Sequence, residues 1–313
     1  LHKKAISLDI GNELTNFVLG RFRKDNTVYI DKAFSVETPK DSYNDGIILD
    51  FEVMETFLKN ILIKNDIKEK RIIFTIKSSS IITKEIELPK VHDKYLKDAV
   101  EFEFQRIFPI NLDKYVLQFR KIEDIFSRNK NRIKIYVAAL SKDIIDQYLS
   151  ISKALNLIPI SLDITLNSSR KIFEHLFNIN DKNIGTNCTF LTLELGYNIT
   201  NISIISKGLC SISRGIPIGF RDIDDKLDIN KAIFIETWLN KINSVISFYN
   251  KNTNEFIDKL YVYGKYSNEI RILNYLRRNF HFEIESIESI GNVIYENLDL
   301  NNYINAIGAF IRR

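Results

Sequence analysis

LDIGNELTNFVL (residues 8–19) and LELGYNITNISI (residues 193–204) carry one pattern twice. Superposing them sets Asp9 on Glu194, Gly11 on Gly196, Thr15 on Thr200 and Asn16 on Asn201, with a constant offset and no gap. Each copy reads as a strand, a glycine-centred turn and a second strand. A glycine there lets backbone N–H groups converge on an anion, because no β-carbon blocks the approach. Two such turns facing each other would grip a phosphate chain, and an acid before each turn is placed to hold a magnesium ion through water. The plain alternative is an ordinary hairpin connector beside a solvated acid. A single copy favours that alternative, and a matched pair opening two halves brings the two readings level.

The chain has 313 residues, 45% of them hydrophobic, enough for two domains of roughly 100–200 residues and a substantial core. A net charge of +4 with 27% charged residues gives no pull towards nucleic acid. Cys188 and Cys210 both lie in apolar, strand-like stretches, which fits a reducing compartment better than a disulfide framework, a bridge between the two being the alternative. No apolar run approaches the ~18 residues of a membrane span, so the expectation is a cytoplasmic protein without direct membrane insertion. His2, His92, His175 and His281 show no metal-ligand spacing. TIKSSSII (residues 75–82) reads as a strand entry, not a nucleophile elbow.

From Lys4 to Ser35 three alternating apolar blocks form a meander, and FEVMETFLKNILI follows at helical spacing, then the strand RIIFTI. The stretch from Lys77 to Leu157 reads as a small α/β insertion around the amphipathic helix HDKYLKDAVEFEFQRIF. Most of the apolar face of that helix, which carries Leu96, Ala99, Val100, Phe102, Phe104 and Ile107, is expected on the insertion's own sheet, the alternative being direct partner binding. Some apolar surface near it and KDIIDQYLSISKAL is left as a groove for an extended peptide. PISLDI and TLNSSRKIFEHLF return the chain to the first sheet. A second meander, the helix AIFIETWLNKINSVISFY, the strand KLYVY, the helix NEIRILNYLRRN, the strand FEIESI and a closing helix YINAIGAFIRR complete it. This is a duplicated α/β domain with a ligand cleft expected between its halves.

With those hairpins, the blocks LPKVHDKYLKDAVEFEFQRIFPINLDKYVLQFRKI (88–122), VAALSKDIIDQYLSISKALNLIPISLDIT (137–165), SISRGIPIGF (211–220) and YINAIGAFIRR (303–313) follow in order. Together they resemble the PilM family of type IV pilus assembly proteins, relatives of the actin-like division protein FtsA. The resemblance implies two actin-like (ribonuclease H-like) halves. Residues 1–76 and 158–184 would form subdomain 1A, with 300–313 returning to it, and 77–157 the inserted subdomain 1C. Residues 185–220 and 242–299 would form 2A, and 221–241 a vestigial or missing 2B. It implies ATP with magnesium in the cleft, at Asp9, Gly11, Asn12, Asn16, Glu194, Gly196, Thr200 and Gly264, with Asp9 and Glu194 serving the metal. As partners it implies the short N-terminal cytoplasmic peptide of the membrane protein PilN, held in a 1A/1C groove at the inner face of the membrane, and the pilus motor ATPase.

Several positions depart from the family's pattern as the resemblance gives it. Asn12 and Glu13 stand where small hydroxyl residues are usual, and Asn16 where a phosphate-binding lysine is usual. A carboxylate at Glu13 facing phosphate at about 4 Å would cost about 4 kcal/mol per charge at an effective dielectric near 20. That weakens binding about a thousandfold. Glu194 replaces aspartate, Tyr197 a small residue, and Gly264 is followed by Lys265 and Tyr266 instead of a second glycine. The expectation is an adaptor whose nucleotide site is weakened or lost, with slow ATP hydrolysis at most. The competing readings are an ATP-gated switch and an FtsA-like filament.

Overall fold

The computed structural model describes residues 4–311 except 24, 26, 128–129, 175, 177, 186 and 224–228. The chain divides into two compact units, residues 1–77 with 151–313, and Ser78–Ser150.

The first unit begins with strands β1 (Ala5–Ile10), β2 (Leu14–Phe22) and β3 (Val28–Glu37), then a short hairpin of β4 (Tyr43–Asn44) and β5 (Ile47–Ile48). Helix α1 (Phe51–Lys64) follows because Asp50 caps it, accepting from Val53 N at 3.0 Å, and Met54, Leu58 and Leu62 bury one stripe. It ends at Asn65, whose amide N–H donates to Ile61 O, before Asp66 turns left-handed at φ 51°. Strand β6 (Arg71–Ile76) then leads to Lys77, the last residue before the second unit.

That second unit is a three-stranded antiparallel sheet of β7 (Ile82–Pro89), β8 (Tyr115–Ser127) and β9 (Lys130–Ser141), in the order β7-β9-β8. Helix α2 (Asp93–Ile107) covers it, and a 3-10 turn at Leu112–Lys114 leads into β8. Val100 and Phe104 pack with Ile86, Leu88, Ile133, Ile135 and Val137, while Leu96 and Ala99 flank them. Two residues expected on this face are not in it: Phe102 is 72% exposed and Ile107 lies at the rim. Phe102 is the residue between Glu101 and Glu103, on the polar side of a stripe whose centre is Val100 and Phe104. Helix α3 (Lys142–Ala154) carries the chain back into the first unit.

Strand β10 (Ile158–Ile164) and helix α4 (Thr165–Phe173) complete the first half. A short hairpin, β11 (Asn178–Ile179) and β12 (Lys182–Asn183), precedes the second meander of β13 (Thr189–Leu195), β14 (Thr200–Ser206) and β15 (Leu209–Ile216). Then come α5 (Phe220–Ile223), α6 (Ile229–Thr253), β16 (Lys259–Tyr263), α7 (Ile270–Asn279), β17 (Glu283–Ser286) and β18 (Val293–Ile294). Helix α6 runs unbroken through residues 241 and 242 and sets Trp238, Leu239 and Ile242 into the core under the second sheet. Trp238 and Leu239 of the stretch 221–241 thus lie in this core. Residues 224–228 of that segment lie outside the described ones. The last helix is shorter than its apolar spacing suggests: a 3-10 turn over Leu300–Tyr303, then α8 (Ile304–Gly308), with residues 312–313 outside the described set.

The two large sheets have one topology. The first runs β10-β6-β1-β2-β3 with β18 added at its edge, and the second β17-β16-β13-β14-β15. In each, the first strand pairs antiparallel with the second and parallel with the strand after the crossover. Strands β13 and β14 are buried along their whole length, as central strands covered on both faces must be. Between the sheets, α4 and α8 share one core with Ala5, Val18 and Ile73 from the first and Phe190, Ile205 and Tyr261 from the second. The two helices approach so closely that a Cβ on Gly308 would fall on the Ser168 carbonyl oxygen. Cys188 and Cys210 are free thiols at this core.

Candidate functional site

Both hairpin turns open on one cavity of about 110 Å³. The duplicated register places the chemistry: Asp9 lies opposite Asn16 on β2, and Glu194 opposite Asn201 on β14. Each turn is closed by its own glycine, Gly11 N donating to Leu14 O (2.9 Å) and Gly196 N to Ile199 O (3.2 Å). Asp9, Gly11, Asn12, Asn16, Glu194, Gly196 and Gly264 all line the cavity. Thr200 does not: it is fully buried, donates to Ile218 O (2.7 Å) and accepts from Trp238 Nε1 (3.0 Å), so it braces the second core.

Several of the lining residues are engaged with the protein itself. Asn12 Nδ2 donates to Asn44 Oδ1 (2.7 Å). Asn16 Nδ2 donates to Asn302 O (2.9 Å) and its Oδ1 accepts from Ser35 (2.7 Å), so it tethers the C-terminal 3-10 turn. Gly264 N donates to Asn301 O (3.2 Å). Phe220 N and Arg221 N donate to the carbonyls of Gly196 and Tyr197, seating α5 on the second turn.

The departures from the expected pattern pair with one another. Glu13, from the first turn, accepts from Lys265 Nζ at 3.0 Å and from the Tyr266 hydroxyl, both of the second half. It lines the mouth of the cavity with its side chain 34% exposed, and its charge is met there by Lys265. Deeper in, Lys77 from the end of β6 reaches across to Glu194 Oε1 at 2.7 Å, where Glu194 is only 7% exposed. Glu194 also accepts from Asn305 Nδ2 (2.9 Å) on α8 and from Asn201 Nδ2 (2.6 Å). A Cβ on Gly196 would fall on Lys77 Nζ and come within 2.6 Å of Ile199 O, so the ammonium occupies the notch that this glycine leaves. Asp9 is pushed up to about 6, first by burial and then by the neighbouring Glu194 charge, while Lys77 and hydrogen bonds from Thr75 and Asn305 oppose the rise.

Lys77, Asn301 and Asn305 were not singled out from sequence, and Lys265 only as a departure beside Gly264. The register supplies the signal for the lysines: Asp9 pairs with Thr75 and Glu194 with Tyr263, so Lys77 and Lys265 each stand two residues beyond the same rung. RIIFTIK and KLYVYGK are thus a second internal repeat, at a different offset from the hairpins, which a search at constant spacing misses.

Magnesium with a nucleoside triphosphate does not fit this arrangement. A cavity of about 110 Å³ is well below the ~300 Å³ at which small-ligand pockets begin. Its lining carries the carboxylates of Asp9, Glu13, Asp45 and Glu194 against the two ammonium groups of Lys77 and Lys265, a field that opposes polyphosphate. Lys77 also stands against the carboxylate that would serve the metal.

Two halves of one topology, each opening its hairpin on a shared cleft, fit an actin-like fold. Among solved structures, the chain is similar to one described as the PilM-PilN type IV pilus biogenesis complex (TM-score 0.78, 15% identity, 99% of this chain and 98% of that one). It is also similar to a Bacteroides thetaiotaomicron protein with an actin-like ATPase fold (TM-score 0.52, 11% identity, 99% and 96%). A third is the ethanolamine utilization protein EutJ from Carboxydothermus hydrogenoformans (TM-score 0.53, 10% identity, 98% and 89%). At these identities the likeness is one of fold. The family model for the type IV pilus assembly protein PilM matches residues 7–229, and the chain belongs to that family. No curated protein matches the chain in sequence. Among the described residues no helix is long and apolar enough to cross a membrane, and no group of histidine, cysteine and acidic residues could hold a metal ion.

Proposed function

We propose that this chain is an adaptor of type IV pilus assembly that binds the N-terminal cytoplasmic peptide of PilN and works without nucleotide. Membership of the PilM family supports the pathway, and the fold shared with a PilM-PilN complex structure supports the partner. The observation that carries nucleotide independence is the cross-cleft pairing of Glu13 with Lys265 and Tyr266. Residues that would obstruct ATP one by one instead tie one half to the other. In this reading the body of an actin-like ATPase persists as a docking platform, residues 221–241 are a reduced 2B, and the partner anchors the protein at the inner face of the membrane. Exposed Tyr95 and Phe102, two turns apart on α2, give the inserted unit apolar contact area for an extended peptide.

Fluorescence anisotropy with a labelled peptide copying the PilN N-terminus tests the partnership. Saturable binding by the full chain, competed by unlabelled peptide, is the expected result, and no binding at about 1 mM, a free energy of only about −4 kcal/mol, would contradict it.

A further inference from the structure

The cleft already contains a cation. Lys77 Nζ sits 2.7 Å from Glu194 Oε1 in the notch over Gly196, on the opposite half from its own backbone. Other oxygen donors line the same cavity. Asp9 and Glu194 both line it, and the Glu194 charge acts on Asp9. Asn301 and Asn305 line the same cavity, are each 5% exposed, and each keeps a side-chain carbonyl oxygen with no hydrogen-bond partner. Two carboxylates and two unpartnered amide oxygens are the donor chemistry of a hard cation. A buried carboxylate pair without any cation would be strongly disfavoured.

We propose that the Lys77 ammonium is the resident cation of this cleft, taking beside Asp9 and Glu194 the place of a divalent metal ion and holding the two halves together without metal or nucleotide. The side chain suits the role. It is covalently attached and so does not dissociate. It also brings the positive charge that the neutral amides of Asn201 and Asn305, which already donate to Glu194, cannot supply. The proposal rests on the reading of the cleft as nucleotide-independent and names the group that makes it so.

The test compares the full-length wild type with Lys77→Met, which removes the charge and keeps the length, and with Lys77→Arg, which keeps a cation. Manganese binding is read by electron paramagnetic resonance at about 1 mM metal, the weak end of protein sites for hard divalent ions. Melting temperature is read with and without magnesium. The wild type and Lys77→Arg should bind no manganese, and their melting should not respond to magnesium. Lys77→Met should melt lower, bind manganese, and recover part of its melting temperature when metal is added. Manganese binding by the wild type as tight as by Lys77→Met would overturn the proposal, as would a Lys77→Met protein as stable as wild type and indifferent to metal. Should Lys77→Met not fold, metal binding by wild type or Lys77→Arg overturns the idea and exclusion from both supports it. Peptide binding that persists whatever these metal results are would leave the adaptor reading standing alone, so the two ideas fail separately.

Discussion

Lys77 and Lys265 occupy equivalent positions, each two residues past the rung where its strand pairs with the acid-bearing strand of its own half, and each reaches a carboxylate of the other half. The duplication has thus produced a reciprocal pair of ties across one cleft: Lys77 to Glu194 at depth, Lys265 to Glu13 at the mouth. Their different burial predicts different energetic weight.

Removing the deep tie should cost far more than removing the outer one. Lys77→Ala leaves Glu194, 7% exposed, without its counter-charge, a loss of about 3–5 kcal/mol. Glu13→Gln breaks a pair whose side chains are 34% and 43% exposed, for which about 1 kcal/mol or less is expected. Urea unfolding of the two variants should rank them in that order; equal losses would contradict the burial argument.

Helices α4 and α8 have no room between them at Gly308. Its Cβ would fall on the Ser168 carbonyl oxygen, a backbone atom that cannot rotate away. Gly308→Ala should therefore cost about 1–3 kcal/mol through overpacking, although alanine is the better helix former. A thermal melt unchanged or raised by this substitution would refute the close approach.

Asp9 gives the cleft a pH dependence of definite sign. Its carboxyl rises from 3.8 to about 6 in the folded state, so the folded protein binds the proton more tightly than the unfolded chain. The stability this contributes is present below pH 4 and is lost as pH rises through about 6, by about 3 kcal/mol at most. Asp9→Asn should remove that slope between pH 4 and 6. Denaturant melts of wild type and variant across the range should converge at low pH and separate in favour of the variant near pH 7.

Phe102 is the most exposed aromatic residue on α2, at 72%. Phe102→Ser should leave the melting temperature within about 1 °C of wild type, since no buried contact is lost. It should weaken the PilN peptide about tenfold if the ring meets the partner, as a contact worth about 1.4 kcal/mol. Unchanged affinity would move the peptide site off this face.

The duplicated architecture was legible in the sequence because hairpin strands have a short, period-two pattern and the repeat kept its spacing at Asp9, Gly11, Glu194 and Gly196. Helix α1 was equally plain from the helical spacing of FEVMETFLKNILI, and the structure adds its cap at Asp50 and its buried stripe of Met54, Leu58 and Leu62. What escaped were relationships between distant segments. Lys77 has its partner on another sheet, and nothing local to RIIFTIK marks that charge as internal. Glu13 read as an obstruction because its neutralising partners are more than two hundred residues away, at Lys265 and Tyr266. Thr200 shared its place in the repeat with Thr15, yet both hydroxyls serve packing, Thr15 bonding Thr38 at 2.9 Å. Repetition of a residue reports a common fold before it reports a common ligand.

The most direct test of the account is the affinity of the full chain for Mg-ATP, measured by titration calorimetry near neutral pH. A cleft closed by its own ion pairs should show no saturable heat up to about 1 mM nucleotide, a free energy weaker than about −4 kcal/mol. Saturable binding in the low micromolar range, about −8 kcal/mol, would contradict it.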